Sequence, residues 1–353
     1  MKNIFALILI LLLILTLPAC SINFNTGGQT SPTNDGGVYK SLNKGASWQQ
    51  KALIPTTSGK PRSIAGINVL TLALDPSDNQ AVYLGSLENG LFYSYDGAEN
   101  WQIATGPGKV SVKAIAIDPK NKCQIYAAAG NKLFKSVDCN RNWSVIYFDN
   151  DLRVSLNTVA IDSAKSNNLY LGTSRGEIIK SADGGTSWQT LQRFNNLVRK
   201  IIISPADSKV IFVATEFRGV FRTTDGGSNW TNISEKIKEV KDYSFRDLVV
   251  SKSQPSLIIM AIYTGIFKSQ DNGESWEKVE LITPEKQATI NSVCLNPQDS
   301  QEIYYVTKTT FYHSLNGGKD WITKKLPTSR AGWVILGDPD NTNTLYLGVK
   351  LLK

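Results

Sequence analysis

The chain has 353 residues, 41% of them apolar, and a formal net charge of +8. This is enough chain and apolar content for one large all-β domain or two ordinary ones. The positive charge favours acidic partners or anionic surfaces, yet it is nowhere gathered into the dense basic run of a nucleic-acid arm, so nucleic acid is not an expected partner. One histidine, His313, is too few for a multi-histidine metal centre, and no His-based triad is expected. No Gly-rich loop follows a strand and opens a helix, so neither a metal nor a cofactor is expected.

From the N-terminus, Lys2 and the apolar run Ile4 to Leu15 lead to Leu17-Pro18-Ala19-Cys20. The run is too short to span a bilayer comfortably and reads as a signal peptide over 1–19. Its L-P-A-C ending resembles the lipobox of bacterial lipoproteins, which implies lipid on Cys20 and an exported chain anchored to the extracytoplasmic face of the envelope. The alternative is an ordinary cleaved signal with an incidental cysteine. Residues 20–36, rich in Gly, Ser, Thr and Asn, read as a flexible tether, and 37–353 as the folded domain.

Within the domain one pattern recurs. Ser181, Asp183, Gly185 and Trp188 have the spacing S-x-D-x-G-x-x-W, and six more copies start at Ser41, Ser94, Ser136, Thr223, Ser269 and Ser314. Ser and Asp bond the backbone N–H groups of a tight turn, Gly takes positive φ, and the Trp packs beneath. The recurring positions Asp96, Asp138, Asp183, Asp225 and Asp271, with Trp101, Trp143, Trp188, Trp230 and Trp276, are therefore architectural. Asn43 and Asn316 stand where the other copies have Asp, and Ala98 and Asn140 where they have Gly. Ala98 should be strained or re-routed, because only Gly and Asn visit the left-handed region readily.

The copies lie 42 to 53 residues apart, the period of a repeat with four short strands per unit. Each unit has an apolar strand ending in a corner such as Asp75-Pro76, Asp118-Pro119 or Asn296-Pro297, then a strand apolar on both faces, such as LYLGTS at 169–174. The last corner, Asp338-Pro339, has no motif after it, whereas the first motif lacks its two preceding strands. The two ends complete one another, which predicts a seven-bladed all-β propeller whose last blade joins C-terminal inner strands to N-terminal outer strands.

The repeated motif with its D-P corners resembles the Asp-box, or bacterial neuraminidase repeat, propellers: sialidases, xyloglucanases, the sortilin luminal domain and photosystem II assembly-factor-like lipoproteins. The likeness covers 37–350 and implies the fold. For function it implies two classes: a chaperone-like scaffold gripping a protein partner, such as a membrane protein segment, or a carbohydrate-binding or glycoside-hydrolysing propeller. The sialidase F-R-I-P-like motif is not matched by Pro61-Arg62-Ser63-Ile64, and xyloglucanases place their catalytic carboxylates across two propellers.

Functional residues are expected on the rim opposite the motifs. Eight of the ten arginines map there: Arg62, Arg153, Arg175, Arg193, Arg199, Arg218, Arg246 and Arg330. Five residues before each corner lie Leu70, Lys113, Asn157, Arg199, Arg246, Asn291 and Trp333, which should ring the mouth of the central channel. Lys113, Arg199 and Arg246, helped by Arg175 and Arg218, are the expected cationic grip on an acidic partner. The glycosidase alternative would draw on Glu177, Glu216, Asp242 and Asp247; no catalytic residue is assigned. Export also permits a disulfide between Cys123 and Cys139, in turns at one end of one unit, whereas Cys294 reads as a buried thiol.

Overall fold

The computed structural model describes residues 34–352 apart from 238, 239, 241, 284–286 and 288. Cys20, the leader assigned to 1–19 and the tether up to Thr33 lie outside the described residues. The fold is a seven-bladed β-propeller, each blade a four-stranded antiparallel sheet. Blades 1 to 6 begin with the strands Val69–Asp75, Val112–Asp118, Leu156–Ile161, Val198–Ile203, Phe245–Val250 and Ser292–Leu295. These first strands touch one another in cyclic order around the axis.

Blade 7 closes the ring as expected from the two incomplete ends. Its inner strands Ala331–Gly337 and Leu345–Lys350 are C-terminal, and its outer strands Val38–Ser41 and Gln49–Lys51 are N-terminal. Val38 pairs with Gly348 and Ser41 with Leu345. Second strands are sandwiched between neighbouring sheets: every residue of Leu169–Thr173, Ile211–Thr215 and Ile258–Ile262 is buried. Full burial of one such aliphatic side chain stabilises by about 1.5–3 kcal/mol, which is why these runs lack the polar alternation of a half-exposed strand.

The turn motif does more than plug its own hairpin. Ser181 Oγ donates to Asp183 Oδ1 (2.8 Å) and accepts from the Gly185 N–H (2.9 Å), while Asp183 Oδ1 accepts from the Thr186 and Ser187 N–H groups. The Trp188 indole N–H then donates to the Ile146 carbonyl of the preceding blade at 3.0 Å. Trp101, Trp276 and Trp321 do the same to Lys51, Ile233 and Glu280. These four tryptophans are rivets between blades, whereas the Trp230 indole bonds the Gly227 carbonyl of its own turn.

Ala98 is not re-routed. It takes φ 71°, fully buried, and its N–H still bonds Ser94 Oγ at 2.9 Å. In other copies the preceding blade leaves no room for a methyl. A Cβ at Gly185 would meet Ile146 Cδ1 at 2.5 Å, and one at Gly273 would meet Ile233 Cδ1 at 2.6 Å. Before blade 1 that place belongs to Lys51, whose ammonium pairs with Glu99. Asn140, also at positive φ, follows the small Ala104 and donates to the Tyr95 hydroxyl at 2.7 Å.

Cys123 and Cys139 are joined as a disulfide, their Cα atoms 4.0 Å apart, and Cys294 is a buried free thiol. The tether boundary moves. Asp35 and Gly36, assigned to the tether, belong to the folded unit, with the Gly36 N–H on the Ala65 carbonyl and the Asp35 carboxylate taking bonds from Thr328 and Ser329. Among the described residues no helix is long and apolar enough to cross a membrane.

Candidate functional site

A channel of about 810 Å³ runs along the axis, and all seven residues expected to ring its mouth line it: Leu70, Lys113, Asn157, Arg199, Arg246, Asn291 and Trp333. The reason lies in the inner-strand register. Val198 pairs with Thr215 and Lys200 with Ala214, so Arg199 has no partner. The same one-residue bulge leaves out Leu70, Lys113, Asn157, Arg246 and Trp333. A bulged residue is turned out of the sheet's alternation and re-aimed, here toward the axis. Opposite each bulge the second strand carries a small residue, Gly85, Ala128, Gly172, Ala214, Ala261 or Gly348. A Cβ at Gly172 would lie 2.5 Å from both Thr158 Cγ2 and Val198 Cγ1. The bulge therefore requires the small partner.

The channel is lined by six cations, Lys113, Arg199, Lys200, Arg246, Lys252 and Lys350, against two carboxylates, Asp75 and Asp247. Lys113 Nζ donates to Ser155 Oγ and Asn157 Oδ1, both at 2.9 Å. Arg246 lies over the Tyr263 ring (5.8 Å) and Lys350 over Trp333 (3.9 Å). Arg199 pairs with Glu216. Lys113, Arg246 and Lys350 have no carboxylate partner among the described residues. Burial, and then the charge of Arg199, holds Lys113 and Lys350 below the usual lysine range, while burial and Arg246 act likewise on Arg199. These cations repel one another across the channel.

Two expected members are not in the channel lining. Arg175 spans Glu177 and Asp149 at 2.7 and 2.8 Å, and Arg218 is exposed on a hairpin tip, its backbone bridged to Tyr243. Arg330 is buried, its guanidinium on the Gly66 and Ile67 carbonyls and Asn68 Oδ1. Lys200, Lys252 and Lys350 were missed from the sequence. Lys350 sits two residues past the small Gly348, a position that also lines the channel at Leu87 but not at Gly130, Ser174, Glu216 or Tyr263.

The rim carboxylates are engaged. Glu177 pairs with Arg175 and Arg193, and Glu216 with Arg199. Asp247 accepts from Lys200 (2.6 Å), Ser292 (2.7 Å) and the Val293 N–H (3.0 Å), and Asp242 from the Ser244 N–H and hydroxyl. Among the described residues no group of three His, Cys, Asp or Glu side chains could hold a metal ion.

No described protein family matches the sequence, and no curated protein matches it. Solved structures do match the fold. A GH74 enzyme from Niastella koreensis superposes with a TM-score of 0.67 at 18% identity, covering 85% of this chain and 53% of that one. A GH74 xyloglucanase from Xanthomonas campestris gives 0.65 at 16%, covering 80% and 51%. YCF48 bound to a D1 peptide gives 0.62 at 17%, covering 85% and 96%, and YCF48 from Cyanidioschyzon merolae 0.59 at 15%, covering 84% and 97%. The chain thus spans about half the length of the GH74 structures and nearly all of YCF48.

Proposed function

We propose that this protein is a non-catalytic binding scaffold, lipid-anchored through Cys20 at the outer face of a bacterial membrane, whose channel mouth holds an acidic segment of a protein partner. The observation that carries the reading is the convergence of Lys113, Arg199, Arg246 and Lys350, cations that disfavour one another and that a carboxylate-bearing segment would neutralise. The match in length to a propeller that binds a peptide supports the same reading. The motif carboxylates take no part in binding. The test is capture from detergent-solubilised envelope by the full chain beside its Arg199→Glu, Arg246→Glu double variant. A protein partner retained by the wild type, released by salt and bound roughly a hundredfold more weakly by the variant is expected. Equal capture by both sinks the proposal.

A second reading, carbohydrate binding or glycoside hydrolysis, is favoured by the superposition on GH74 enzymes. A hydrolase requires two suitably spaced carboxyls with room for a sugar between them. Glu177, Glu216 and Asp247 are each tied to a cation of this chain. Retention of envelope polysaccharide with no protein would select this reading.

A further inference from the structure

Successive blades are stapled at the motif rim by a repeated device. A side chain at or near the end of one blade's third strand donates to the carbonyl of the fourth residue in the next blade's turn. Lys40 Nζ reaches Gly97 O (2.8 Å), Tyr95 Oη reaches Cys139 O (3.3 Å), Lys135 Nζ reaches Gly184 O (3.0 Å) and Arg222 Nη1 reaches Asn272 O (2.6 Å). Where blade 6 meets the N-terminal turn of blade 7, the polarity is reversed. The fourth turn residue is itself a cation, Lys44, and its ammonium reaches back 2.9 Å to Glu302 Oε2 on blade 6. The residue in the stapling position of blade 6 is the chain's one histidine, and its Nε2 lies 2.7 Å from Glu302 Oε1.

Glu302 is 1% exposed and His313 8%. Asn296 also donates to Glu302 Oε2. Blades 2 and 3 use the opposite arrangement, an amide in the place of Glu302 (Gln124, Asn168) donating to a corner aspartate (Asp118, Asp162). Acid and amide have exchanged places only at the seam, which gives the incoming lysine a buried anion that Gln124 or Asn168 would not supply. The cluster is sealed by rings: Tyr304 stacks on His313 with centroids 4.6 Å apart, and Phe311 meets Trp48 at 5.5 Å. A Cβ at Gly45, beside Lys44, would run into the Phe311 ring.

We propose that Lys44, Glu302 and His313 form the lock of the ring, an electrostatic latch that selects the N-terminal turn as the neighbour of blade 6 and lets that turn and its strand pair loosen when Glu302 is neutral. An ion pair on a buried carboxylate, with a half-buried ammonium as its partner, contributes pairing specificity even where its net stabilisation is small. The groups facing Glu302 are Lys44 from the turn, His313 and Tyr304 from the strands of blade 6, and Asn296 from the corner, with Asp299 and the un-ionised Cys294 beyond Tyr304. Burial raises the Glu302 carboxyl, but the bonds from Lys44 and Asn296 outweigh it and leave the group below its ordinary 4.5. Its contribution is therefore present above about pH 4.5 and is lost as pH falls through the lower folded value.

The test is amide hydrogen exchange, by mass spectrometry, on the full chain in detergent. At pH 7, Glu302→Gln and, separately, the milder Lys44→Gln should speed exchange about tenfold or more in Val38–Ser41 and Leu345–Lys350, leaving blades 2 to 4 unchanged. Lys135→Gln, which removes an ordinary staple, should leave those two strands unaffected. Wild type taken from pH 6 to pH 3.5 should show the same local loss of protection, with rates divided by the intrinsic exchange rate at each pH, and Glu302→Gln should show no further step. Unchanged exchange at the seam in both variants, or acceleration spread over all blades, overturns the lock. So does an acid step that persists in Glu302→Gln.

Discussion

The two rims of this propeller use the same strands for opposite ends. On the motif rim the motif aspartates are matched at once by their own turns: the Ser275 hydroxyl and N–H and the Ser269 hydroxyl pull the Asp271 carboxyl down to about 2, and Asp183 and Asp225 fall further still. At the channel mouth, bulges push like charges toward one another, and burial with mutual repulsion shifts the cations toward neutrality. Polar groups that satisfy each other build structure. Groups of one sign left facing each other, on a scaffold rigid enough to hold them, make a site.

That contrast predicts that stability is lost by damage to one rim and binding by damage to the other. The largest effect is expected at Trp101, fully buried and hydrogen-bonded to Lys51 of blade 7. Trp101→Ala should cost about 3–5 kcal/mol, read as a fall in the urea midpoint, and a loss below 1 kcal/mol would show that the tryptophans are not rivets. Next comes the one motif that departs from its own chemistry. Ala98→Gly should stabilise by about 1 kcal/mol, because the left-handed turn is already formed and only the methyl is strained there. Gly185→Ala should do the reverse, its new methyl meeting Ile146. The smallest effect on stability belongs to the mouth. Arg199→Met should leave the urea midpoint within about 0.5 kcal/mol, while the Lys350 and Lys113 ammonium groups titrate higher by NMR once the neighbouring charge is gone. No upward movement would mean that the cations do not sense one another and that the mouth is merely decorated.

Much of this was legible because the motif is local. A Ser, an Asp and a Trp at fixed offsets dictate a turn wherever they occur, so seven copies with two incomplete ends dictate a ring and the composition of its last blade. The mouth was half legible. Counting back from each corner located the bulged positions, since the strand between bulge and corner keeps nearly the same length in each blade. It did not separate Arg199 from Arg175: both lie near a strand end on the same rim, and only the fold gives Arg175 two carboxylates, Asp149 and Glu177, while it gives Arg199 one, Glu216, and sets the charge of Arg246 beside it. Ala98 was half legible: its strain at positive φ follows from the motif alone, but that the turn keeps its route does not. Its neighbour across the blades, Lys51, bonded to Trp101 and paired with Glu99, lies 47 residues away from it in sequence and in another blade.

The amino-acid sequence by itself determined the repeat, the number of blades, the closure of the ring by its two ends and the seven positions that ring the channel mouth, because each follows from contacts within one unit or from counting units. Only the tertiary structure decided which charges are neutralised, which remain opposed across the channel, and that Lys44 meets Glu302 and His313 at the seam. Those are meetings between blades. Coulombic and hydrogen-bonding partners there are set by how neighbouring sheets pack, a relation no single repeat encodes.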